Sequence, residues 1–394
     1  MATIRKCADG YLIRVSCGYD VYGKHKEQSM LWKPEEGWSA RQIKKELNRQ
    51  AVMFEENCKL GYKTSPMKFQ QLAEEWFENY AKNTLRSTTY ERMEQLTHRV
   101  YPAIGHMRID RISARQLQAF VNSLAQEGAN EKNGKPLAPK TIRHFLSFIS
   151  DVFSYAVRMD IVAENPCSKV TIPRGEAKEK PIYSQEEIAK LLIAINGESN
   201  KYRAFFFLVA YSGFRRGEML GLEWKDVDFE NDLISVKRTS NYTSERGIYT
   251  DTTKTKRSQR VLKISPYIME ILKELKAEQD EEALRLGDKW VETDRLFVKW
   301  NGEPMNNQTP YGWLKEFCEK NDMPFYGIHS FRHFAASALI SSGLDVVTVS
   351  GALGHCNSGT TLNIYSHMFQ TAQAKIAQAM DGAFSFLPKQ ESPR

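Results

Sequence analysis

Histidine, arginine and tyrosine side chains concentrate between His329 and His367, where four of the eight histidines of the chain lie. His329 and Arg332 are three residues apart, so on a helix they project from the same face. Tyr365 follows near the end of this stretch. Guanidinium donors neutralise the non-bridging oxygens of a phosphodiester, and a tyrosine oxygen can hold a cleaved strand as a covalent ester. The spacing therefore predicts attack on a phosphodiester.

Further basic residues that suit this chemistry lie upstream. Arg215 stands in the sequence GFRRGE, where Gly213 is predicted to end a helix or form a tight turn and Glu218 follows three residues later. The leaving sugar oxygen needs an acid, and Lys254 precedes a basic turn that leads into a predicted strand, residues 260–264. Histidine moves protons near neutral pH. Two arginines, a lysine, histidines and a tyrosine together supply every group that the cleavage requires.

Five motifs in this order resemble the tyrosine recombinases, and most of all the integrases of temperate phages and conjugative transposons. They are Arg215 within G-x-R-x-x-E, Lys254 within K-T, His329-x-x-Arg332, Leu-Gly-His355, and Tyr365 within Y-x-H. Each motif alone is a weak signal, but five in the correct order over residues 215–365 are not expected by chance. The segment between His355 and Tyr365 is one residue longer than is usual in the family.

The resemblance implies a role for each of these residues. Tyr365 is the expected nucleophile, which forms a 3′-phosphotyrosine and frees a 5′ hydroxyl. Arg215 and Arg332 are expected to hold the scissile phosphate, with Glu218 supporting Arg215. Lys254 is expected to protonate the leaving oxygen, His329 to assist proton movement, and His355 to bond a phosphate oxygen. Lys256 and Arg257 are close to Lys254, and only the K-T context selects it.

A metal site was the competing interpretation of the histidines. His329 and His333 have the i, i+4 spacing of a ligand pair, and Cys356 and His367 follow. Arg332 would place a permanent cation beside the metal, and no carboxylate is close in sequence. We therefore expect catalysis without a metal, and the resemblance implies no nucleotide or other cofactor, because the phosphotyrosine conserves the bond energy. The expected partners are double-stranded DNA, further copies of the chain as a tetramer on DNA, an excisionase and a host DNA-bending protein.

Length and composition are those of a globular protein of several domains. The 394 residues suffice for two or three domains, and no apolar run approaches the roughly 18 residues that span a bilayer. The first residues do not form a signal peptide, and six cysteines without paired short spacings indicate reduced thiols. A cytoplasmic location in the bacterial nucleoid is expected.

Positive charge lies in the first part of the chain. Residues 1–66 hold 12 basic and 8 acidic residues, residues 67–172 hold 14 and 11, and the remainder holds 29 of each. The net charge of +7 therefore comes entirely from the first 172 residues. So modest an excess says little about function by itself, since charged runs are usually solvated surfaces.

Residues 1–65 are predicted to form a small α+β domain. IRKCA, YLIRVSCGY and QSMLW alternate like strands, with a turn at Asp9-Gly10, and Ser39 caps an amphipathic helix to about Asn57. The helix residues expected to face inward are Ile43, Leu47, Val52 and Phe54. The module resembles the arm-binding domain of integrases, whose sheet enters the major groove. Its candidate DNA contacts are Arg5, Arg14, Lys24 and Lys26; solvated surface charge is the alternative.

Residues 66–165 are predicted to be all-α and resemble the core-binding domain of the family. Ser87, Ser113 and Pro139 mark helix starts, and Lys140, Thr141 and Arg143 are candidate DNA contacts at the start of the last helix. The aromatic residues are expected in the core: Trp76, Phe77, Phe120, Phe145, Phe148 and Phe153.

A linker, residues 166–182, is predicted from its three prolines and alternating charges. A mainly α catalytic domain with a small antiparallel β-sheet is predicted for residues 183–380. It begins with a capping box at Ser184 and Glu187, and LISVKR, GIYT and RVLKI are expected to form a three-stranded sheet. Residues 381–394 form a tail, which in the family docks on a neighbouring protomer.

Two alternatives stay open at this point. A recombinase that resolves chromosome dimers shares the catalytic motifs, but that branch usually lacks a module like residues 1–65. A catalytically silent DNA-binding regulator of the same fold would bind DNA without cleaving it. The intact set of candidate catalytic residues favours an enzyme that integrates and excises a mobile element.

Overall fold

The structure, a computed structural model, describes residues 2–7, 10–19, 25–35, 37–59, 67–175, 181–252 and 259–354. The chain divides into two compact units, Met1–Ala177 and Lys178–Arg394. Within the described ranges, every helix is too short or too polar to cross a lipid bilayer. Four of the candidate catalytic and DNA-binding residues lie outside these ranges: Lys24, Lys254, His355 and Tyr365. The same is true of the predicted tail and of part of the predicted linker.

The first unit begins with a three-stranded antiparallel sheet and a helix, as predicted. Its strands run in the order β1 (Thr3–Cys7), β2 (Gly10–Tyr19) and β3 (His25–Trp32), and α1 (Ala40–Lys59) follows. Ile13 and Val15 of β2 are buried together with Leu47, Ala51 and Phe54 of α1. These helix positions follow the i, i+4, i+7 spacing of a single face.

One inward position on α1 was predicted wrongly. Val52 is 56% exposed, and the neighbouring Ala51 is buried in its place. Residues 47, 51 and 54 form one stripe, and Val52 lies about 100° further round the helix. The apolar side chain of Val52 suggested burial, but it is the small Ala51 that lies on the same helix face as Leu47 and Phe54.

Arg5 and Arg14 lie on the face of this sheet that α1 does not cover. Ile13 and Val15 point inward, so Arg14 between them points outward, because side chains alternate along a strand. Arg5 pairs with Leu12, which has the same outward phase as Arg14. Both arginines are exposed, and Arg14 lies 4.0 Å from Glu27. Lys26 lies within β3.

Helices form the rest of the first unit, as predicted. They are α2 (Phe69–Trp76), a π-helical turn (Phe77–Ala81), α3 (Lys82–Thr84), α4 (Ser87–Val100), a second π-helical turn (Tyr101–Gly105), α5 (Ala114–Leu124) and α6 (Pro139–Arg158). Ser113 caps α5 in a capping box with Gln116, and Pro139 is the first residue of α6. Ser87 is itself the first residue of α4, and the preceding Arg86 occupies the N-cap position.

Aromatic side chains fill the core of these helices, which confirms their predicted role. Five of the six predicted residues are buried and Phe120 packs against them. Phe148 contacts the rings of Phe69, Trp76 and Phe77 at centroid distances between 5.8 and 6.5 Å. Lys140, Thr141 and Arg143 are exposed on the first turns of α6, while Ile142 and Phe145 are buried. The candidate DNA contacts thus lie on the solvent side of this helix.

The second unit is mainly helical around the apolar helix α8. Ser184 and Glu187 form the predicted capping box at its start. Its helices are α7 (Gln185–Ile195), α8 (Asn200–Ser212), α9 (Arg216–Met219), α10 (Pro266–Leu286), α11 (Thr309–Lys320), α12 (Ile328–Ser341) and α13 (Val346–Leu353). Helices α7, α10 and α12 pack directly against α8. Burial of most of α8, from Ala204 to Ala210 above all, explains its apolar, aromatic sequence.

Two small antiparallel sheets replace the single sheet that was predicted here. The strands are β4 (Val227–Asp228), β5 (Leu233–Val236), β6 (Arg238–Thr243), β7 (Gly247–Thr252) and β8 (Arg260–Lys263). The first sheet has the order β4-β5-β8, and β6 and β7 form a separate hairpin. The predicted pairing of GIYT with LISVKR and RVLKI was therefore wrong. GIYT pairs instead with RTSNYT, to which a short turn joins it directly.

Gly213 forms a tight junction in the second unit. It ends α8 in the left-handed conformation (φ +61°), as its sequence context predicted. A Cβ atom at this position would lie 2.6 Å from a Leu353 methyl carbon of α13 and 3.2 Å from Ala335 Cβ of α12. Only glycine fits both the backbone angle and the close approach of the three helices. The chain can therefore turn here and still present Arg215 beside the end of α13.

We expect Gly213→Ala to destabilise the protein by about 2–5 kcal/mol. A left-handed conformation costs an L-residue about 1–2 kcal/mol, and overpacking a core costs about 1–3 kcal/mol more. Urea unfolding of the full chain, followed by tryptophan fluorescence, measures the loss. Gly312→Ala is the matched control, because Gly312 lies within α11 with nothing near its missing Cβ and alanine favours helix there. Equal effects of the two substitutions would contradict this account of Gly213.

Candidate active site

Arg215 emerges directly after the Gly213 junction. It precedes α9, and its side chain is 37% exposed. One terminal nitrogen donates to Glu218 Oε1 at 2.7 Å and the other donates to the carbonyl oxygen of Gly354 at 2.8 Å. Arg215 is thus oriented by a carboxylate of its own turn and by the end of α13, with its exposed part directed to solvent.

Glu218 holds two arginines at once. Its side chain is only 4% exposed, and Oε2 accepts from Arg260 at 2.9 Å and from the backbone N–H of Arg215 at 3.0 Å. Burial by itself raises the pKa of this carboxyl. The charge and hydrogen bond of Arg260, together with those of Arg215, outweigh burial and hold the pKa below its ordinary value of 4.5. Glu218 therefore stays ionised at neutral pH.

Arg332 is buried, not displayed on an open wall beside His329. It is 3% exposed, and its terminal nitrogens donate to the carbonyl oxygens of Gly213 and Leu353, each at 2.7 Å. His329 is exposed at the start of the same helix, α12. The two residues lie on one helix at the predicted i, i+3 spacing, but their side chains differ in exposure. Arg332 lies nearer the Gly213 junction, where α8 and α13 enclose it.

Three guanidinium groups converge on the C-terminal end of α13. Arg260 donates to the carbonyl of Ala352 at 2.7 Å, Arg332 to that of Leu353, and Arg215 to that of Gly354. The last carbonyls of a helix lack partners within the helix and carry the negative end of its dipole. Cations satisfy both properties. The chain therefore leaves α13 from a fixed point, directly before His355.

Sequence reasoning missed Arg260 as part of this cluster. It heads β8, where Val261 is 57% exposed and Leu262 packs against the core. Arg260 thus shares the inward phase of Leu262, and its side chain is only 7% exposed. An arginine at an inward strand position requires a buried acceptor, and that pattern was the available signal. The acceptor, Glu218, is 42 residues away, which no local pattern identifies.

Arg295 was also missed, and it ties α9 to the β6–β7 hairpin. Its side chain is 6% exposed and donates to the carbonyl of Leu220 at 3.1 Å and to the hydroxyl of Thr250. Glu223 lies 3.8 Å away and also pairs with Arg238, which bonds the buried Asp226. Strand β7 ends at Thr252, two residues before Lys254. This network anchors the strand from which the chain continues to that lysine.

A cavity of about 690 Å³ lies beside these residues. His329 and Arg216 are among its lining residues, with Phe214, Tyr311, Phe325 and Gly327. The ring of His329 meets that of His333 edge-on, with centroids 4.8 Å apart. Among the described residues, no group of three or more histidine, cysteine, aspartate and glutamate side chains is arranged to hold a metal ion.

Two family models match this chain, one over most of the second unit and one over about a third of the first. Residues 182–371 match the phage integrase family, and residues 68–125 match the N-terminal SAM-like domain of phage integrases. The first match contains all six candidate catalytic residues. The second lies within the helical part of the first unit.

Individual relatives are similar over about seven-tenths of the chain. A XerC-like tyrosine recombinase of Caldanaerobacter subterraneus subsp. tengcongensis is 31% identical over 296 residues, 71% of this chain and 73% of the relative. The ICEBs1 integrase of Bacillus subtilis is 28% identical over 273 residues, 69% of this chain and 72% of the relative.

Solved structures share the fold. The Tn1549 transposon integrase in complex with a circular intermediate DNA matches with a TM-score of 0.65 at 21% identity, over 79% of this chain and 99% of that one. A lambda integrase dimer bound to a COC′ core site matches with a TM-score of 0.55 at 14% identity, over 92% and 93% of the two chains.

We expect Glu218→Gln to lower the free energy of unfolding at pH 7 by about 3 kcal/mol, because it leaves the buried Arg260 and the part-exposed Arg215 without their anion. The folded pKa of Glu218 lies below the unfolded value of about 4.5. Its stabilisation is therefore complete above pH 4.5 and is lost as the pH falls through the folded pKa. Urea titrations of both proteins at several pH values measure this.

The difference between wild type and Glu218→Gln should thus shrink below pH 4.5. Glu270→Gln is the control, since Glu270 is an exposed residue of α10 paired with Lys273. A difference between wild type and Glu218→Gln that stays constant with pH would refute the ionised, charge-paired state of Glu218.

Proposed function

We infer that this protein integrates and excises a mobile genetic element, because the chain belongs to the phage integrase family of tyrosine recombinases. Members of that family cleave and rejoin DNA, and integrases of phages and conjugative transposons are among the relatives of this chain. We assign the catalytic steps to Arg215, Lys254, His329, Arg332, His355 and Tyr365. The cluster of Arg215, Glu218 and Arg260 at the end of α13, directly before His355, is the observation that carries this proposal.

The proposed reaction is two successive transesterifications. The phenolic oxygen of Tyr365 loses its proton with the assistance of His329, attacks the scissile phosphorus, forms a 3′-phosphotyrosine bond and breaks the bond to the 5′ oxygen, which takes a proton from Lys254. The 5′ hydroxyl of a partner strand then returns a proton to Lys254 and attacks the phosphotyrosine. This attack restores a phosphodiester and releases Tyr365, which takes its proton back. One phosphoester bond replaces another at each step, so no nucleotide cofactor is consumed.

Positive charge in the phosphate site would lower the barrier to both steps. Arg215 is the guanidinium of the cluster with an exposed part, and His329 is exposed on the wall of the adjoining cavity. Arg332 is buried behind the site, where it holds the ends of α8 and α13 together through hydrogen bonds to the carbonyls of Gly213 and Leu353. Preorganised donors of this kind act on charge that develops in the transition state, and removing one typically costs about 10²–10³ in rate.

DNA contacts outside the catalytic domain are assigned to the first two proposed domains. Arg5 and Arg14, on the uncovered face of the N-terminal sheet, are proposed to contact arm-type sites together with Lys24 and Lys26. Lys140, Thr141 and Arg143, exposed at the start of α6, are proposed to contact the core site. We propose domains at residues 1–65, 66–165 and 183–380, with a linker at 166–182 and a tail at 381–394.

Assembly as a tetramer on DNA is part of the proposal. Lambda integrase has been solved as a tetramer bound to a Holliday junction, and it shares the fold of this chain. Pairwise strand exchange within such a tetramer would require an excisionase and a host bending protein to set the direction. The N-terminal sheet and α1 favour an integrase over a chromosome-dimer resolvase, for which a module of this kind is not needed.

Tyr365→Phe should bind DNA as wild type does but never become covalently attached to it, because the nucleophilic oxygen is missing. Covalent protein–DNA adducts are recovered from cells that express each protein, and the attached ends are sequenced. Tyr211→Phe is the control, since Tyr211 is a half-exposed tyrosine on α8. Adducts that persist in Tyr365→Phe would move the nucleophile elsewhere, and adducts absent from wild type, with DNA still bound, would favour a silent regulator.

Cleavage should continue in the presence of a metal chelator, because arginines supply the positive charge that a metal would otherwise provide. Adduct formation by the purified protein on the DNA recovered above is compared with and without chelator. Activity that chelator abolishes and magnesium or zinc restores would overturn the metal-independent mechanism.

A further inference from the structure

Arg216 is a positively charged residue to which the proposed reaction assigns no role. It follows Arg215 in the chain, and both it and His329 line the cavity of about 690 Å³ in the second unit. The volume lies within the range of about 300–1,000 Å³ typical of ligand sites. Tyr311 and Phe325 form an aromatic wall, their rings 5.1 Å apart and nearly perpendicular. The cavity therefore combines two basic side chains with apolar, planar surfaces.

Arg216 differs from the other arginines around it in its partners. Arg215, Arg260, Arg238 and Arg295 each lie within 4 Å of a carboxylate. Within the part of the chain that the structure describes, Arg216 has no carboxylate at that distance, and it donates a long hydrogen bond to the neutral Gln308 Oε1 at 3.5 Å. Burial lowers the pKa of its guanidinium, and the phenol of Tyr311 offsets this only in part. A half-buried charge without an anion is costly, and binding an anion would remove that cost.

We propose that Arg216 binds a DNA backbone phosphate next to the scissile phosphate, and that the cavity receives the nucleotide between them. This inference rests on the proposed function, which assigns Arg215 and His329 to the scissile phosphate. His329 and Arg216 line the same cavity, and successive phosphates of one strand are about 3.4 Å apart along the duplex axis, so a strand with its scissile phosphate at His329 would bring a neighbouring phosphate to this cavity. Guanidinium groups bind phosphate oxygens through paired donors. Arg216 thus fixes the register of the strand relative to the nucleophile.

Alternative ligands fit the cavity less well. A carboxylate-bearing peptide would satisfy Arg216 alone, but not the continuity with Arg215 and His329. A purely structural arginine would have a buried acceptor, as Arg260 has in Glu218. The aromatic wall of Tyr311 and Phe325 suits the flat face of a sugar or base beside the phosphate, since such faces pack on aromatic rings.

The first test is the salt dependence of DNA binding by the full-length protein. The probe is the duplex that binds wild type most tightly out of a random-sequence pool, so that its choice does not depend on cleavage. Arg216→Gln should bind about tenfold more weakly at low salt and lower the slope of log K against log salt by about 0.9, the value for one lost phosphate contact. Arg216→Lys should keep most of the slope, because it keeps the charge.

Arg285→Gln is the matched control, because Arg285 is an exposed arginine of α10 that pairs with Glu282. It should change neither affinity nor slope. Circular dichroism and urea unfolding establish that each variant is folded. An unchanged slope in folded Arg216→Gln, or an equal loss in Arg216→Lys and Arg216→Gln, would overturn the phosphate contact in favour of a packing role.

The second test locates the phosphate. Single phosphates of the same duplex are replaced by uncharged methylphosphonates, and each duplex is titrated with wild type, Arg216→Gln and His329→Gln. At one position, the replacement should weaken DNA binding by wild type about tenfold but should hardly weaken binding by Arg216→Gln, because the contact is already lost. A neighbouring position should behave in the same way with His329→Gln. Additive losses at every position would refute the contact. Failure of the proposed function is separate, since it appears as missing adducts while DNA binding persists.

Discussion

The described part of the second unit depends on the buried, ionised carboxylate of Glu218. A carboxylate removed from water is expensive unless cations and hydrogen bonds surround it, and here Arg215 and Arg260 do so from two different elements. Each of these arginines also donates a hydrogen bond to a backbone carbonyl at the end of α13. One acidic side chain thereby links α9, β8 and α13, and the orientation of Arg215 follows from that link.

Local rules predicted those features that depend on neighbours in sequence. Gly213 as a helix end, the capping box of Ser184 and the aromatic core around Phe148 follow from caps and periodicity. Arg260 and Arg295 were missed because their acceptors lie 42 and 75 residues away. The sheet pairing failed for a different reason, since the strand that completes β5 and β8 is β4, whose two residues are too few to show an alternating pattern. Motifs identified the family, whereas distant partners had to be observed.

The arginines divide the work of the site by their degree of burial. Arg332 and Arg260 are almost completely enclosed and donate to main-chain carbonyls, and Arg260 also donates to Glu218, so both hold the surrounding elements together. Arg215 is part-exposed and joins that frame to the solvent side, where phosphate would arrive. Some arginines therefore stabilise the fold around the site and others are available to bind the substrate, and their degree of burial distinguishes the two groups. The same reasoning assigns Arg216, which has neither carboxylate nor carbonyl frame among the described residues, to the substrate.

The separate hydrophobic cores have a consequence for engineering. The N-terminal sheet, the helices around Phe148 and the helices around α8 each bury their own side chains. Chimaeras in which the first two are exchanged for those of other integrases would leave the third core intact. Within the third core the opposite holds, because residues 213–218, β8 and the end of α13 form one interlocked set. Grafts there would have to transfer all three segments together, which limits the retargeting of such an enzyme to its N-terminal half.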